Sequence, residues 1–390
     1  MGKADSRLKA TGQPAVDVLV VGGGIMGLWA ALMAGREGLS VLVLERGRIG
    51  AGASGGVLGA LMPHLPDRWN AKKQFQFDAL VSLEAEVAGL EARTGLSAGY
   101  RRCGRVIPLA KPHLRQIALG HGRDAETSWR GEFAFTVGDE PVAPGWPATS
   151  SMACGLVFEG LAARVSPRGL LAVLRAALDG MANVALREGA EATAIDPVAG
   201  AVRLVGGERI AFGHAILSAG VSSFGFMDSL CSPLARAAGS AVKGQAALLE
   251  ADIDPAFPIV FSDGLYVVAH EGGKVAVGST SENTFADPLS TDHRLDDVIS
   301  QARLMVPAIA QAKVVERWAG LRPKAIGRDP MIGLHPDFRR LSLMTGGFKI
   351  SFGVAHELAR AVIEEMKAGT PSSVPASFSV EAHLREARRA

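Results

Sequence analysis

The sequence predicts an α/β fold in which a dinucleotide-binding lobe, built on a parallel sheet, carries a second, mostly β lobe inserted into it. Three observations predict it. Residues 18–45 read as strand, glycine turn, helix, strand and acid. A later apolar strand, Ala215–Leu217, ends in Ser218-Ala219-Gly220. A glycine-rich segment, from Gly346-Gly347 to Gly353, leads into a last helix. The pieces of the α/β lobe therefore lie at both ends of the chain, with strand-rich segments between them.

The opening segment carries the most information. An apolar run, Val18–Val21, meets Gly22-x-Gly24-x-x-Gly27, then an Ala-rich stretch of helical length, then Val41–Leu44 and Glu45. This is the Rossmann-like βαβ fingerprint. Gly22 permits the tight turn, Gly24 lets the backbone approach a pyrophosphate, and Gly27 lets helix and strand pack closely. The helix start offers free N–H groups and the positive end of its dipole to the phosphates. Glu45 is placed to accept hydrogen bonds from a ribose hydroxyl. The pattern by itself does not separate NAD from FAD.

The remaining elements follow in order. Residues 48–66 are rich in Gly and Ala, which suits a close-fitting loop. Phe75–Arg93 carries Leu80, Leu83, Val87 and Leu90 at helical spacing. Residues 99–150 read as irregular, with strand-like pieces such as Arg105–Leu109, and suggest an excursion into the second lobe. Ser166-Pro167 is an N-cap followed by a first-turn proline, with Leu170, Leu171, Leu174 and Leu178 on one face behind it. Val184–Ile195 and Val202–Leu204 read as short strands, and 240–280 is strand-rich. Leu265–Ala269 and Val275–Gly278 flank a turn and form a hairpin signal. Asp292–Val306 and about Val354 to Lys367 read as helices.

Bulk properties narrow the function classes. The 390 residues, with 48% hydrophobic and 21% charged, allow a large core and two lobes. A formal net charge of +2 gives no polybasic surface, so no nucleic-acid partner is expected. The two tyrosines, Tyr100 and Tyr266, offer no base-stacking platform. Cys103, Cys154 and Cys231 are far apart, without metal-ligand or redox-pair spacing, and read as core residues in a reducing compartment. The first 15 residues lack the apolar core of a signal peptide, and no apolar run reaches the roughly 18 residues of a bilayer span. A cytoplasmic protein without an integral membrane segment is the expectation, with a homo-oligomer left open.

With these segments read, the chain resembles the D-amino-acid oxidase superfamily of flavoproteins, and within it is most similar to glycine oxidase, with sarcosine oxidases more distant. The resemblance rests on GGGIMG (22–27), VLVLERG (41–47), SGGVLGALMPH (54–64), VKGQ (242–245), LYVVAHEGGKVAVGSTSE (265–282), WAGLRPKAIGRDPMIG (318–333) and GGFKISFG (346–353). It implies a Rossmann-like FAD-binding domain of residues 15–95, 151–223 and 323–370. A mixed, mostly antiparallel substrate domain would comprise 96–150 and 224–322, with 1–14 and 371–390 as terminal extensions. It also implies non-covalent FAD, since no flavin-attaching cysteine context is present. Glu45 and Arg46 would meet the adenosine ribose; Ser54, Gly55 and Gly56 the pyrophosphate or flavin edge; Ala219 and Gly220 the ADP side. Leu61 and Met62 would lie along the flavin ring. Further cofactor contacts carried over are Ile25, Met26, Ala192, Gly347, Phe348, Lys349 and Ile350.

The implied activity is oxidative deamination or demethylation of a small amino acid or N-substituted glycine, with hydride transfer from Cα–H to flavin and hydrolysis of the imine. Arg322, in Gly320-Leu321-Arg322-Pro323, matches the family's carboxylate-binding arginine; a guanidinium grips a carboxylate through two parallel hydrogen bonds. Tyr266 matches a tyrosine that hydrogen-bonds the same carboxylate. Lys349 stands where glycine oxidase usually has an arginine, so glycine specificity does not simply carry over. The last helix would point its positive end at the flavin and stabilise the charge gained on reduction. His64, His270 and His356 lie near motifs but have no triad or metal partners in sequence, and His64 lies in the loop expected beside the flavin. Oxygen or another electron acceptor completes the scheme. The competing readings are a dehydrogenase serving a quinone or electron-transfer flavoprotein, an oxidase module of tRNA modification acting on a carboxymethylamino group, a non-enzymatic flavin-binding scaffold, and a nicotinamide dehydrogenase.

Overall fold

The computed structural model describes residues 16–231, 233–369 and 374–389; the expected extension 1–14 lies outside them. β1 (Val16–Val21) runs through the glycine turn into α1 (Ile25–Arg36) and returns as β2 (Val41–Leu44), parallel to β1 with Val18 opposite Val41. Both faces of β1 are covered. Val18 and Val20 pack in the core beneath the helices, while Leu19 and Val21 face a second core on the other side of the sheet. Every residue of α1 from Ile25 to Gly35 is buried, which is why its sequence shows no polar stripe.

The short β3 (Ala60–Leu61) and α2 (Ala71–Thr94) follow, with Asn70 capping α2 by accepting the N–H of Lys72 and Lys73. The chain then enters the second sheet through β4 (Arg105–Pro108), α3 (Pro112–Ser128), β5 (Phe135–Gly138) and β6 (Leu156–Glu159). The helix α3 lies in a stretch that the sequence reads as irregular. Its buried residues are Ala118 and Ala125, so it carries no apolar stripe to betray it; Pro112 in its first turn was the available signal. β6 pairs antiparallel with β4 and β5, so the second sheet extends past residue 151.

β7 (Ala163–Arg164) pairs with β3, and Ser166 caps α4 (Pro167–Asp179) by accepting the Gly169 N–H at 3.1 Å. β8 (Val184–Arg187) extends the first sheet beside β2. β9 (Ala192–Asp196), β10 (Ala201–Leu204) and β11 (Arg209–Leu217) form a meander, and the end of β11 runs parallel to β1 with Leu217 opposite Val21. α5 (Ser222–Leu230) starts just beyond this strand.

The second sheet is completed by β12 (Gly239–Glu250), β13 (Ile259–Ser262), β14 (Leu265–His270), β15 (Lys274–Gly278) and, after α6 (His293–Met305), β16 (Lys313–Ala325). Its order is β16-β12-β15-β14-β13-β4-β6-β5. The pairing is antiparallel throughout except between β13 and β4, which matches the mixed, mostly antiparallel sheet expected. β17 (Met331–His335), β18 (Phe338–Thr345) and α7 (Ser351–Ala368) return the chain to the first sheet, whose order is β17-β18-β11-β1-β2-β8. The described part of 371–390 is folded onto this lobe. α8 (Val380–Arg388) buries Val380 and Leu384 in the core beneath the first sheet. No helix among the described residues is long and apolar enough to cross a membrane.

Two buried histidines tie this fold to pH. His214 of β11 has Nε2 2.8 Å from Ser342 Oγ of β18, and burial pushes its pKa down from the usual 6.5 to about 4. His356 of α7 is fully buried near Trp29, and burial depresses it as well. The unfolded chain binds protons at these sites near 6.5 while the folded chain does not. The contribution is therefore complete above 6.5 and is lost as pH falls toward 4. At pH 5, His214 alone is expected to remove on the order of 2 kcal/mol. Urea midpoints measured at pH 7.5 and 5 should show this loss, and His214→Gln should flatten it; an equal slope in the variant would contradict the assignment.

Candidate active site

The fold brings the carboxyl ends of β1, β2 and β11 against one face of the second sheet, and a single cavity of about 1010 Å³ runs between them. This is at the upper end of the range for ligand pockets. At one end lies the glycine turn. Gly22 has φ +112, and a Cβ there would stand 2.5 Å from Ser218 O. A Cβ on Gly27 would stand 1.9 Å from Gly22 O, so this glycine permits the strand–helix contact and does not itself line the cavity. Gly24 differs. The nearest protein atom to a Cβ there is Ser54 Oγ at 3.1 Å. Gly24 forms the extended N-cap of α1 without a side-chain cap, and Ser54 Oγ accepts the Ile25 N–H at 3.0 Å.

Glu45 is held by the same turn. Its Oε2 accepts the Gly23 N–H at 2.8 Å and its Oε1 the Gly47 N–H at 2.9 Å. A carboxylate has further lone pairs, so this orientation leaves it able to accept ribose hydroxyls. Arg46, Ala192, Ala219 and Gly220 line this end, and Ile25, Met26, Ser54, Gly56 and Met62 continue along the cavity. Gly347, Phe348, Lys349 and Ile350 line it just before α7. Leu61 does not. It is 3% exposed and packs into the main core, because pairing of β3 with β7 sends alternate side chains to opposite sides. Gly55 also stands apart, with its carbonyl accepting Arg168 Nε at 2.8 Å.

At the other end lies the second sheet. Arg322 sits on β16 opposite Val242 of β12. Its Nη1 donates to Thr280 O at 3.1 Å, and no acid among the described residues forms an ion pair with it. Burial lowers its pKa, opposed by Tyr266 and Glu282. The guanidinium lies over Gly244, where a Cβ would come within 2.0–2.1 Å of three of its atoms. Tyr266 stacks at 4.8 Å on Phe261. Burial raises its pKa while Arg105 and Arg322 pull it back, so the hydroxyl remains protonated near neutrality. Lys349 completes this end, its pKa lowered by burial and by Arg322, with Nζ 5.5 Å from the Phe348 ring centroid.

Sequence reasoning missed several of these residues. Arg105, Phe261 and Trp318 line the cavity through strand pairings that no local spacing reveals. Gly244 was visible in VKGQ, but its reason was not: it leaves room for Arg322. Gly244→Ala is therefore expected to leave the fold intact, because the long Arg322 side chain can move. Displacing the guanidinium should cost about 10²-fold in kcat/KM. Unchanged turnover with an unchanged urea midpoint would refute this. Of the histidines, His64 lines the cavity, its pKa lowered first by burial and then by Lys73. His270 is bonded to Leu58 O at 3.0 Å and His356 to Ser82 Oγ at 2.9 Å, and neither lines the cavity. The three cysteines are free, and no metal-holding cluster is found among the described residues.

The comparisons with known proteins show the family. The model of the DAO family, FAD dependent oxidoreductase, matches residues 17–361. This chain belongs to that family. FAD is its cofactor, and one feature of the structure fits it directly: the bare turn at Gly24, an N-cap residue without a side chain, faces a cavity that continues to Arg322. Among curated relatives, glycine oxidase of Pseudomonas aeruginosa is 27% identical over 94% of this chain and 99% of its own. Glycine oxidase of Bacillus licheniformis is 25% identical over 85% and 88%. The fold is shared with the crystal structure of glycine oxidase from Geobacillus kaustophilus, at TM-score 0.81 and 22% identity over 94% of this chain and 98% of that one. Iminodiacetate oxidase from Chelativorans sp. BNC1 has the same fold, at TM-score 0.79 and 21% identity over 93% and 98%.

Proposed function

We propose that this FAD-dependent oxidoreductase oxidises the C–N bond of a small amine that carries a carboxylate, an amino acid or an N-substituted glycine. The observation that carries the reading is Arg322, a guanidinium deep in the cavity with a carbonyl but no acid as partner, at the far end from the FAD-binding turn. A carboxylate in the cavity would satisfy its fork through two parallel hydrogen bonds and so fix the orientation of the substrate. FAD, when bound, supplies the acceptor for the hydride equivalent from the substrate Cα–H. The protein supplies position and charge. Tyr266, held protonated, donates to the same carboxylate. Lys349 adds a second positive charge whose depressed pKa makes it responsive to what binds beside Arg322. The start of α7, next to Lys349, has no side-chain cap and lines the cavity with Ser351 and Phe352, so the positive end of its dipole lies there.

Mixing the holoenzyme anaerobically with glycine, sarcosine, D-amino acids and secondary amines, and following the flavin band near 450 nm, tests the reading. Bleaching by carboxylate-bearing amines, and not by the corresponding amines without a carboxylate, is the expected result. No bleaching by any of them would overturn it. Admitting air then separates an oxidase from a dehydrogenase by the rate at which the colour returns.

A further inference from the structure

Arg105 is a buried cation at the cavity wall that carboxylate binding by Arg322 leaves unused. It opens β4 opposite Glu159 of β6 and beside Ile259 of β13. It is 4% exposed, and its guanidinium lies 5.8 Å from the Phe261 ring centroid, the ring on which Tyr266 stacks. Its Nε stands 2.9 Å from Glu159 Oε1, an ion pair and not an aligned hydrogen bond. Glu159 is wholly buried and accepts the Leu161 and Ala162 N–H groups on Oε2 at 2.9 and 3.0 Å. Arg105 Nη2 has no hydrogen-bond partner among the described residues.

A buried donor left unmet costs about 1–3 kcal/mol, more when charged. An ion pair serving the fold alone would use the whole fork. Here Glu159 stands against Nε without an aligned hydrogen bond, and Arg105 lines the cavity. The charges point the same way. Arg322, Lys349 and Arg105 face the substrate end, and among the described residues only Arg105 has an acid partner there, Glu159. Glu282 bears on Arg322 from behind Thr280 but is paired with Arg294. One substrate carboxylate leaves a positive surplus; two balance it.

We infer that Arg105 is a second anion-binding residue and that the substrate is a small amine with a second carboxylate, at the end away from the one Arg322 holds. The inference rests on the amine-oxidation reading for the reaction but not for the binding. The planar fork of Arg105, backed by Glu159, matches a carboxylate edge. The distal group is thus recognised by charge, whereas an alkyl side chain would leave the positive surplus at this wall unanswered.

Titrating the holoenzyme with unreactive ethers, followed by perturbation of the flavin spectrum, tests this directly. Oxydiacetate carries two carboxylates and methoxyacetate one. The wild-type protein should bind oxydiacetate at least about tenfold more tightly. Arg105→Met combined with Glu159→Gln removes both buried charges and keeps an acceptor for the Leu161 and Ala162 N–H groups; it should bring the ratio to near unity. Arg105→Lys keeps the charge without the fork and should give an intermediate ratio, which carries the test if the double variant does not fold. Equal binding of the two ethers by wild type, or a wild-type ratio in the variants, would overturn the inference. Dicarboxylate preference without bleaching by any amine would sink the amine-oxidation reading and leave the second anion site standing.

Discussion

Replacing Arg322 by methionine is expected to lower kcat/KM for every carboxylate-bearing amine by about 30- to 5,000-fold while the purified protein still carries FAD. The range follows from the about 2–5 kcal/mol lost when one partner of a desolvated, hydrogen-bonded charge pair is truncated. The cofactor should survive because Arg322 lies on the second sheet, and its recorded protein bond is to Thr280 O, remote from the turn at Gly22–Gly27. Arg322→Lys should recover only part of the loss, since an ammonium keeps the charge but not the paired donors. Two spectroscopic consequences separate lost binding from a general collapse. The Tyr266 hydroxyl should titrate at higher pH, because Arg322 is one of the groups holding its pKa down against burial. Lys349 should become more basic, because Arg322 is the charge that depresses it. Wild-type kcat/KM in Arg322→Met would remove the basis for a carboxylate site here.

The two ends of the cavity differ in how legible they were, and the reason is sequence separation. Strand, turn, helix, strand and Glu45 are contiguous, so the spacing alone pointed to a dinucleotide-type turn, and the structure gives Gly22 and Gly27 the packing roles expected of them. The loop at 54–64 was harder. Met62 lines the cavity but Leu61 is in the core, because a two-residue pairing of β3 with β7 decides which side chain turns inward. The substrate end depends on register between distant strands. Arg105 reaches the cavity only because β4 pairs parallel with β13, and Gly244 sits beneath Arg322 only because β12 pairs with β16. No local period encodes either contact. The helix α3 escaped for the opposite reason: it is almost wholly solvated, so the hydrophobic pattern that marks buried helices never formed.

The fingerprint glycines offer the second large effect, and they divide by what each makes room for. Gly27→Ala is expected to destabilise the protein by about 3 kcal/mol or more, beyond the usual overpacking cost. Its Cβ would stand 1.9 Å from Gly22 O and 2.7 Å from Ser218 Oγ, and the first of these is backbone of the buried turn that ends β1. Helix α1, buried on all sides, has no direction in which to retreat. The variant should therefore show a reduced urea midpoint and arrive without FAD. Gly24→Ala should behave otherwise. The protein around Gly24 offers only the movable Ser54 hydroxyl at 3.1 Å, and its φ of −83° is open to alanine. The fold has no need of a glycine there; the expectation is that the bare backbone serves to admit a pyrophosphate to the start of α1. Gly24→Ala should keep close to the wild-type midpoint in the apoprotein yet weaken FAD binding by about tenfold or more. Gly95→Ala, at φ +69 with nothing within 4 Å and away from the cavity, is the control for backbone strain alone and should cost only about 1–2 kcal/mol. If Gly24→Ala bound FAD as wild type does, the turn would be a packing motif only, and the cofactor would have to be anchored elsewhere along the cavity.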